Sequence, residues 1–278
     1  MSGAWLADSR TLAPPARRVV RVIVTRTLGA YRLLTALDAE GPSRPRPGQF
    51  YMLSTAGGWG GGTDQRPYLP RAFSYAGARP GPDGLELDFL LEDVGPGTRR
   101  LDQIAVGDGL ALVGPLGNGF GPSAGGTRAL LVGGGIGAAP LACLARERGR
   151  PTEVILGFRS AVHAEAAALF DAARVVTEDG AVGERALVTA PLALALDRDP
   201  ATTVFSCGPP AMLEAVRAMC AERAIPAQLA MESGMACGYG ACFGCTVPTK
   251  NGYVRLCVDG PVLEGDSLET CLVGEVPL

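Results

Sequence analysis

The chain has 278 residues, of which 47% are hydrophobic and 19% charged, with a net charge of −3. That is enough apolar material for two packed domains, which excludes a disordered chain. The slight negative charge argues against a broad phosphate-tracking surface, so no nucleic-acid partner is expected.

The opening stretch "MSGAWLADSRTLAPPARR" lacks the continuous apolar run of an export signal. A cytoplasmic, reducing setting is therefore expected, and there clustered cysteines bind metals or do redox work rather than form disulfides. From residue 16 to 120 the chain reads as short β-branched or alternating runs: "RRVVRVIVTRTL", "AYRLLTALD", "GQFYMLS", "LELDFLLED" and "DGLALVGPLG". Strands at this spacing, parted by glycine and proline, predict an antiparallel barrel or sandwich. "TAGGWGGGTDQRPYLP" (55–70) lies between two of them and reads as a loop.

The texture changes near residue 127. "RALLVGGG" is a buried-strand run and "APLACLARERG" follows at helical spacing. "PTEVILGFRS", "ARVVTEDG" and "ATTVFSCGPP" read as further strands, "HAEAAALFDAA" and "PAMLEAVRAMCAERAI" as helices. Strands alternating with helices predict a parallel sheet covered on both faces. Residues 129–145 carry no charge, but their glycines and proline divide them into strand, turn and helix, so no membrane span is expected. The predicted domains are 14–122, 123–223 and 224–278.

The third unit is dominated by Cys237, Cys242, Cys245 and Cys257, with four, two and eleven residues between them. Cys-x4-Cys-x2-Cys with a distant fourth cysteine is the plant-type pattern for a [2Fe–2S] cluster. Gly238, Gly240 and Gly244 permit the sharp turns that a loop around an inorganic core needs. Four-cysteine zinc is the other reading, although zinc ribbons usually show two Cys-x2-Cys knuckles and only one is present. Of the remaining cysteines, Cys143, Cys220 and Cys271 read as small buried hydrophobes. The single histidine, His163, reads as a solvated residue far from the motifs.

Three further motifs fall in a fixed order. "LPRAFSYAG" contains Arg71, Ala72, Phe73 and Ser74; "GPGT" follows with Gly97 and Thr98. "GGGIGAA" then supplies Gly133-x-Gly135-x-x-Ala138, a dinucleotide fingerprint between a strand and a helix. "SCGPPAM" places Cys207, Gly208 and Pro209 ahead of Met212. This ordered set resembles the ferredoxin reductase superfamily, in which a Greek-key barrel binds FAD and a parallel-sheet domain binds the nicotinamide dinucleotide.

The resemblance implies an FAD site at Arg71, Ala72, Phe73, Ser74, Leu90, Leu91, Glu92, Gly97 and Thr98. It implies an NAD site at Gly133, Gly135, Gly137, Cys207, Gly208 and Pro209. With its cluster in a short tail, and with "TEDGAVGERALVT", "GPLGNGF" and "CVDGPVL", the chain resembles the electron-transfer subunits of two-subunit, NAD-linked dihydroorotate dehydrogenases. That family implies oxidation of dihydroorotate at FMN in a partner subunit, in a heterotetramer, with single electrons crossing to the FAD and a hydride reaching NAD+. Ala72 and Glu92 depart from the family, where proline and a basic residue are usual. The flavin subunits of NADH-dependent ferredoxin:NADP or sulfide oxidoreductases share the barrel and a similar cysteine tail. Neither 2′-hydroxyl nor 2′-phosphate recognition is decided by the sequence, since Arg159 in "GFRS" is able to take a phosphate.

Overall fold

Alternation of buried and exposed side chains builds the first half of the molecule. A computed structural model describes residues 16–41, 44–60, 67–148 and 152–273. Residues 14–15 of the first predicted domain and 61–66 of the predicted loop lie outside the described residues, as does most of the opening stretch. Strands β1 (Ala16–Leu28), β2 (Tyr31–Asp38), β3 (Phe50–Thr55), β4 (Arg71–Gly81), β5 (Gly84–Leu91) and β6 (Gly109–Leu116) close into a barrel in the order β1-β2-β5-β4-β3-β6. Every pair is antiparallel, and the connection from β2 to β3 crosses the barrel in Greek-key fashion. Closure leaves no free sheet edge.

Along β5, Leu85, Leu87, Phe89 and Leu91 enter the barrel core while Leu90 faces the other way, the period of two expected of a strand. Tyr51 meets Tyr75 and Phe89 edge-on in that core, at centroid distances of 6.1 and 5.6 Å. Buried charge is paired: Arg18 with Asp38, and Arg79 with Asp88, which also accepts from Thr35 Oγ1 at 2.7 Å. The short helix α1 (Pro96–Asp102) follows β5 and buries Leu101 against the barrel.

The second half is built on β7 (Arg128–Gly134), α2 (Ala138–Arg148), β8 (Thr152–Phe158), α3 (Ala161–Ala164), β9 (Arg174–Thr177), β10 (Glu184–Arg185), α4 (Thr189–Arg198), β11 (Thr202–Cys207), α5 (Pro210–Glu222) and β12 (Ala227–Ala230). The cysteine segment adds a hairpin, β13 (Thr246–Thr249) with β14 (Gly252–Arg255), and then β15 (Val262–Glu264). The sheet runs β10-β9-β8-β7-β11-β12-β15, parallel except for β15 on its edge. The uncharged stretch 129–145 is thus β7, a tight turn and the start of α2, and no helix among the described residues is long and apolar enough to cross a membrane.

Two sequence expectations are corrected here. "HAEAAALFDAA" does not form one α-helix: α3 spans four residues and passes into a 3₁₀ turn over Glu165–Leu169. Ala166 and Leu169 are the residues it buries, three apart, which suits three residues per turn rather than 3.6. The sheet also runs on past residue 223, taking in β12 and, from the cysteine segment, β15.

The two halves share cores. Leu28, Tyr31, Leu33, Ala76 and Leu90 of the barrel pack in one cluster with α2 and the sheet. Arg146 of α2 donates to Ala76 O at 3.0 Å. A second cluster joins Phe50, Met52 and Leu116 of the barrel to Cys245, Val247, Leu256 and Cys257 of the cysteine segment. Cys143, Cys220 and Cys271 are all buried, and burial pushes each thiol up to about 12, as expected of inert packing residues.

Candidate functional site

Two cavities meet where the barrel abuts the C-terminal ends of the parallel strands, the crevice where such sheets take ligands. The first, of 390 Å³, lies against the barrel and is lined by Arg71, Ala72, Phe73 and Ser74 of β4, Leu90 of β5, and Phe50 of β3. Thr98, Gly137 and Cys207 also line it. Gly97 does not, but a Cβ there would lie 2.5 Å from Arg71 Nε, so only glycine lets the guanidinium rest on the first turn of α1. Thr98 Oγ1 accepts from the amides of Val94 and Gly95, both at 2.9 Å, and so fixes that turn. Leu91 points into the barrel core instead.

The second cavity, of 550 Å³, spans the ends of β7, β8 and β9, with Gly135, Arg159, Glu178 and Pro209 among its walls. Gly135 sits at φ +54, which favours glycine. A Cβ at Gly137 would fall 2.3 Å from Cys207 O, so the turn after β7 lies directly on the turn after β11. Gly133 and Gly208 line neither cavity: the first packs against Leu156 and Leu141, the second against Met212 and the Gly134 amide.

Glu92, Ile136 and Glu232 are common to both cavities and mark their junction. Glu232 is exposed to solvent at this junction, yet the protein packed around it still pushes its carboxyl up. The neighbouring Ser233 Oγ is buried without a partner among the described residues, a polar atom left for a ligand. An apolar wall, one guanidinium, a hydroxyl on β4 and this orphan Oγ fit a flavin nucleotide.

His163 is the clearest correction to the sequence reading. Its side chain is 12% exposed and lines the larger cavity, with Nε2 3.4 Å from Glu92 Oε1. Tyr31, which no motif marks, lines the same cavity and meets the imidazole edge-on at 5.8 Å.

The four cysteines lie on the segment that leads away from the smaller cavity's wall. Met235 lines that cavity, and Cys237 follows two residues later. Gly238 (φ +82) lies on the barrel, where a Cβ would meet Met52 Cγ at 2.4 Å. Cys245 and Cys257 are buried, Cys237 is half-buried and Cys242 exposed. The thiols associate in two pairs, Cys237 with Cys242 and Cys245 with Cys257. Among the described residues no three ligating side chains converge on a single metal position. Two pairs suit a core of two irons, each iron taking two thiolates.

Burial opposes ionisation of Cys237, but amide donors from Cys242, Tyr239 and Ala241 and the Cys242 thiol bring its pKa down to about 6. Burial and the Cys245 thiol push Cys257 up to about 12, so its proton must leave when metal arrives. Phe243 holds a left-handed φ of +61 inside the knuckle, with the Arg255 guanidinium 4.9 Å over its ring.

The end of the segment is strapped to α5. Glu214 accepts from the Cys271 amide at 2.6 Å, from Thr270 Oγ1 at 3.1 Å and from Arg217. The Arg217 hydrogen bond, with help from the Cys271 amide, lowers the Glu214 carboxyl to about 2. Its native pKa lies below the unfolded value, so the strap stabilises the fold above the ordinary carboxylate range and fades as pH falls toward 2. Glu214→Ala is expected to cost about 1 kcal/mol at neutral pH, given partial exposure. Faster hydrogen exchange at the Cys271 amide, with exchange in the barrel unchanged, is the measurement that checks it.

A barrel with an arginine-bearing strand, a parallel sheet and a junction cavity between them define a flavin- and nicotinamide-dependent reductase fold with an iron–sulfur segment appended. The solved structure of an NADH-dependent reduced ferredoxin–NADP oxidoreductase matches 97% of this chain and 92% of its own, with a TM-score of 0.75 and 22% identity. The ferredoxin reductase in carbazole 1,9a-dioxygenase matches 77% of this chain and 68% of its own, with a TM-score of 0.64 and 23% identity. Residues 232–269 match the family described as the iron–sulfur cluster binding domain of dihydroorotate dehydrogenase B.

The dihydroorotate dehydrogenase B (NAD(+)) electron transfer subunit of Clostridium acetobutylicum is 34% identical over 235 residues, 84% of this chain and 89% of its own length. The probable counterpart in Methanopyrus kandleri is 32% identical, covering 88% of both chains. The chain belongs to the family of dihydroorotate dehydrogenase B electron transfer subunits.

Proposed function

We propose that this chain carries electrons between a partner dihydroorotate dehydrogenase subunit and NAD+ in pyrimidine biosynthesis, with FAD and a [2Fe–2S] cluster as its own cofactors. The observation that carries this reading is the continuity of the two sites. Met235 walls the flavin-sized cavity and Cys237 stands two residues beyond it, at most about 7 Å along an extended chain. FAD supplies the exchange between paired and single electrons, and the cluster supplies one-electron transfer.

The residues would divide the work as follows. Arg71 would pair with the FAD diphosphate while Phe73 and Leu90 cover the ring and Ser74 meets its polar edge. Gly135 would let the dinucleotide approach the backbone and Pro209 would wall its nicotinamide end, while Gly137 and Cys207, which line the flavin cavity, would bound that end from the flavin side. Cys237, Cys242, Cys245 and Cys257 would hold the cluster. Ile136, at the junction, would help exclude water where the two cavities meet.

The partner is a catalytic subunit, which we take to hold FMN and to assemble as two copies with two of this chain, in the cytoplasm. Its docking face is the exposed side of the cysteine loop, where Cys242, Tyr239, Phe243 and Tyr253 face outward. Identity to the electron transfer subunits exceeds that to the ferredoxin–NADP oxidoreductase, which favours this reading over a ferredoxin:NADP or sulfide oxidoreductase subunit.

Anaerobic co-expression with the partner should yield about one FAD, one FMN and two each of iron and labile sulfide per pair of chains, by flavin and metal analysis. Stoichiometric zinc without sulfide would overturn the redox reading. A partner holding [4Fe–4S] clusters and no FMN would favour a ferredoxin:NADP or sulfide oxidoreductase subunit instead.

A further inference from the structure

One side chain of the cysteine segment reaches every stretch that lies between its thiols. Arg255 ends β14, two residues before Cys257. Its Nη1 donates to Gly240 O at 2.8 Å, and its guanidinium carbon lies 4.9 Å over the Phe243 ring. Gly240 falls between Cys237 and Cys242, and Phe243 between Cys242 and Cys245. The approach is close: a Cβ at Gly240, whose φ is +90, would meet Val258 Cγ2 at 2.7 Å and Arg255 Nη1 at 3.3 Å. The Arg255 backbone is fixed as well. Its amide donates to Asp259 Oδ2 at 2.9 Å, and its carbonyl accepts from the Val258 and Asp259 amides at 3.0 and 2.8 Å.

The carbonyl that Arg255 holds belongs to the same peptide unit as the Ala241 amide, which donates to the Cys237 thiol. The Gly240 amide, one peptide earlier, donates to the Cys257 thiol. A guanidinium on that carbonyl fixes the plane of the peptide and polarises its N–H. It also brings a permanent charge, and it forms no ion pair among the described residues. The potential of an iron–sulfur centre responds to net charge and to hydrogen bonds on its sulfurs. One-electron reduction adds a negative charge and breaks no bond, so a fixed cation nearby favours the reduced form. We propose that Arg255 is the positioning residue of the iron–sulfur site: it holds the loop amides toward the sulfurs, and its charge raises the reduction potential of the cluster. This rests on the reading that the four cysteines hold a [2Fe–2S] cluster. It adds which side chain outside the ligand set makes that centre easier to reduce.

Redox titration of the loaded complex, followed by the paramagnetism of the reduced cluster and by flavin absorbance, tests this without turnover. At the potential where the wild-type cluster is half reduced, Arg255→Gln should lower the ratio of reduced to oxidised cluster about tenfold, which for one electron is ~59 mV. Arg255→Lys, which keeps the charge, should lower it by threefold at most. The FAD midpoint should stay in place in both variants, since Arg255 lines neither cavity. A fall of less than threefold in Arg255→Gln, a fall of more than threefold in Arg255→Lys, or an equal displacement of the FAD overturns the proposal. Should Arg255→Gln lose its iron, Arg255→Lys decides: a fall of threefold or less supports the role of the charge, and a larger fall or loss of iron there too overturns it. A wild-type complex without iron and labile sulfide overturns the cluster reading itself, whatever the variants do.

Discussion

Cys242→Ser is expected to leave FAD bound and NADH-driven reduction of a small soluble dye within about twofold of wild type, while transfer to or from the partner subunit collapses. The dye result follows from the geometry: both cavities and their junction are walled by residues other than Cys242. The partner result follows from exposure, because Cys242 is the one exposed cysteine of the four. Changes to groups around a metal site alone commonly cost 10–100-fold, so loss of a ligand should exceed about 100-fold. Parallel steady-state assays with dye and with dihydroorotate measure the two rates on one preparation. Equal losses in both would mean that the cysteines are not a separate relay on the partner's side of the flavin site.

The second large effect concerns Arg71. Its guanidinium lies over Gly97 and is steered by Leu69 O, which accepts from Nη1 at 2.5 Å. No other arginine lines the smaller cavity among the described residues. Arg71→Ala should remove about 3 kcal/mol of charge-assisted hydrogen bonding to a diphosphate, roughly a 100-fold loss of FAD affinity. Gly97→Ala should produce a similar loss without touching the charge, since its new methyl would displace the guanidinium. Flavin per polypeptide after gel filtration measures both, with far-ultraviolet circular dichroism as the check on folding. Full retention of FAD in both variants would show that some other group carries the phosphate.

The barrel, the parallel sheet and the presence of an iron–sulfur segment were legible because each rests on local pattern. Alternation of apolar residues marks strands, and thiolate spacing is a covalent fact of the chain. What was not legible was placed by packing between distant segments. Tyr31, Glu232 and Ser233 sit in no motif and reach the cavities only because the barrel docks against the sheet. His163 read as solvated for the same reason: its neighbours Glu92 and Tyr31 are 71 and 132 residues away in the chain. Within the motifs, spacing did not tell which residues face a ligand. Gly133 and Leu91 match their patterns, yet one supports helix packing and the other fills the barrel.

β15 has an implication for how such a protein can be cut and recombined. By lying antiparallel along β12, the redox tail seals a strand that would otherwise offer its bare amides and carbonyls to any passing chain. Deleting the tail to obtain a minimal flavoprotein would leave a sticky margin, and grafting it elsewhere would strip it of its own support. The inorganic centre and the dinucleotide sheet are thus inherited together, as a single piece of architecture.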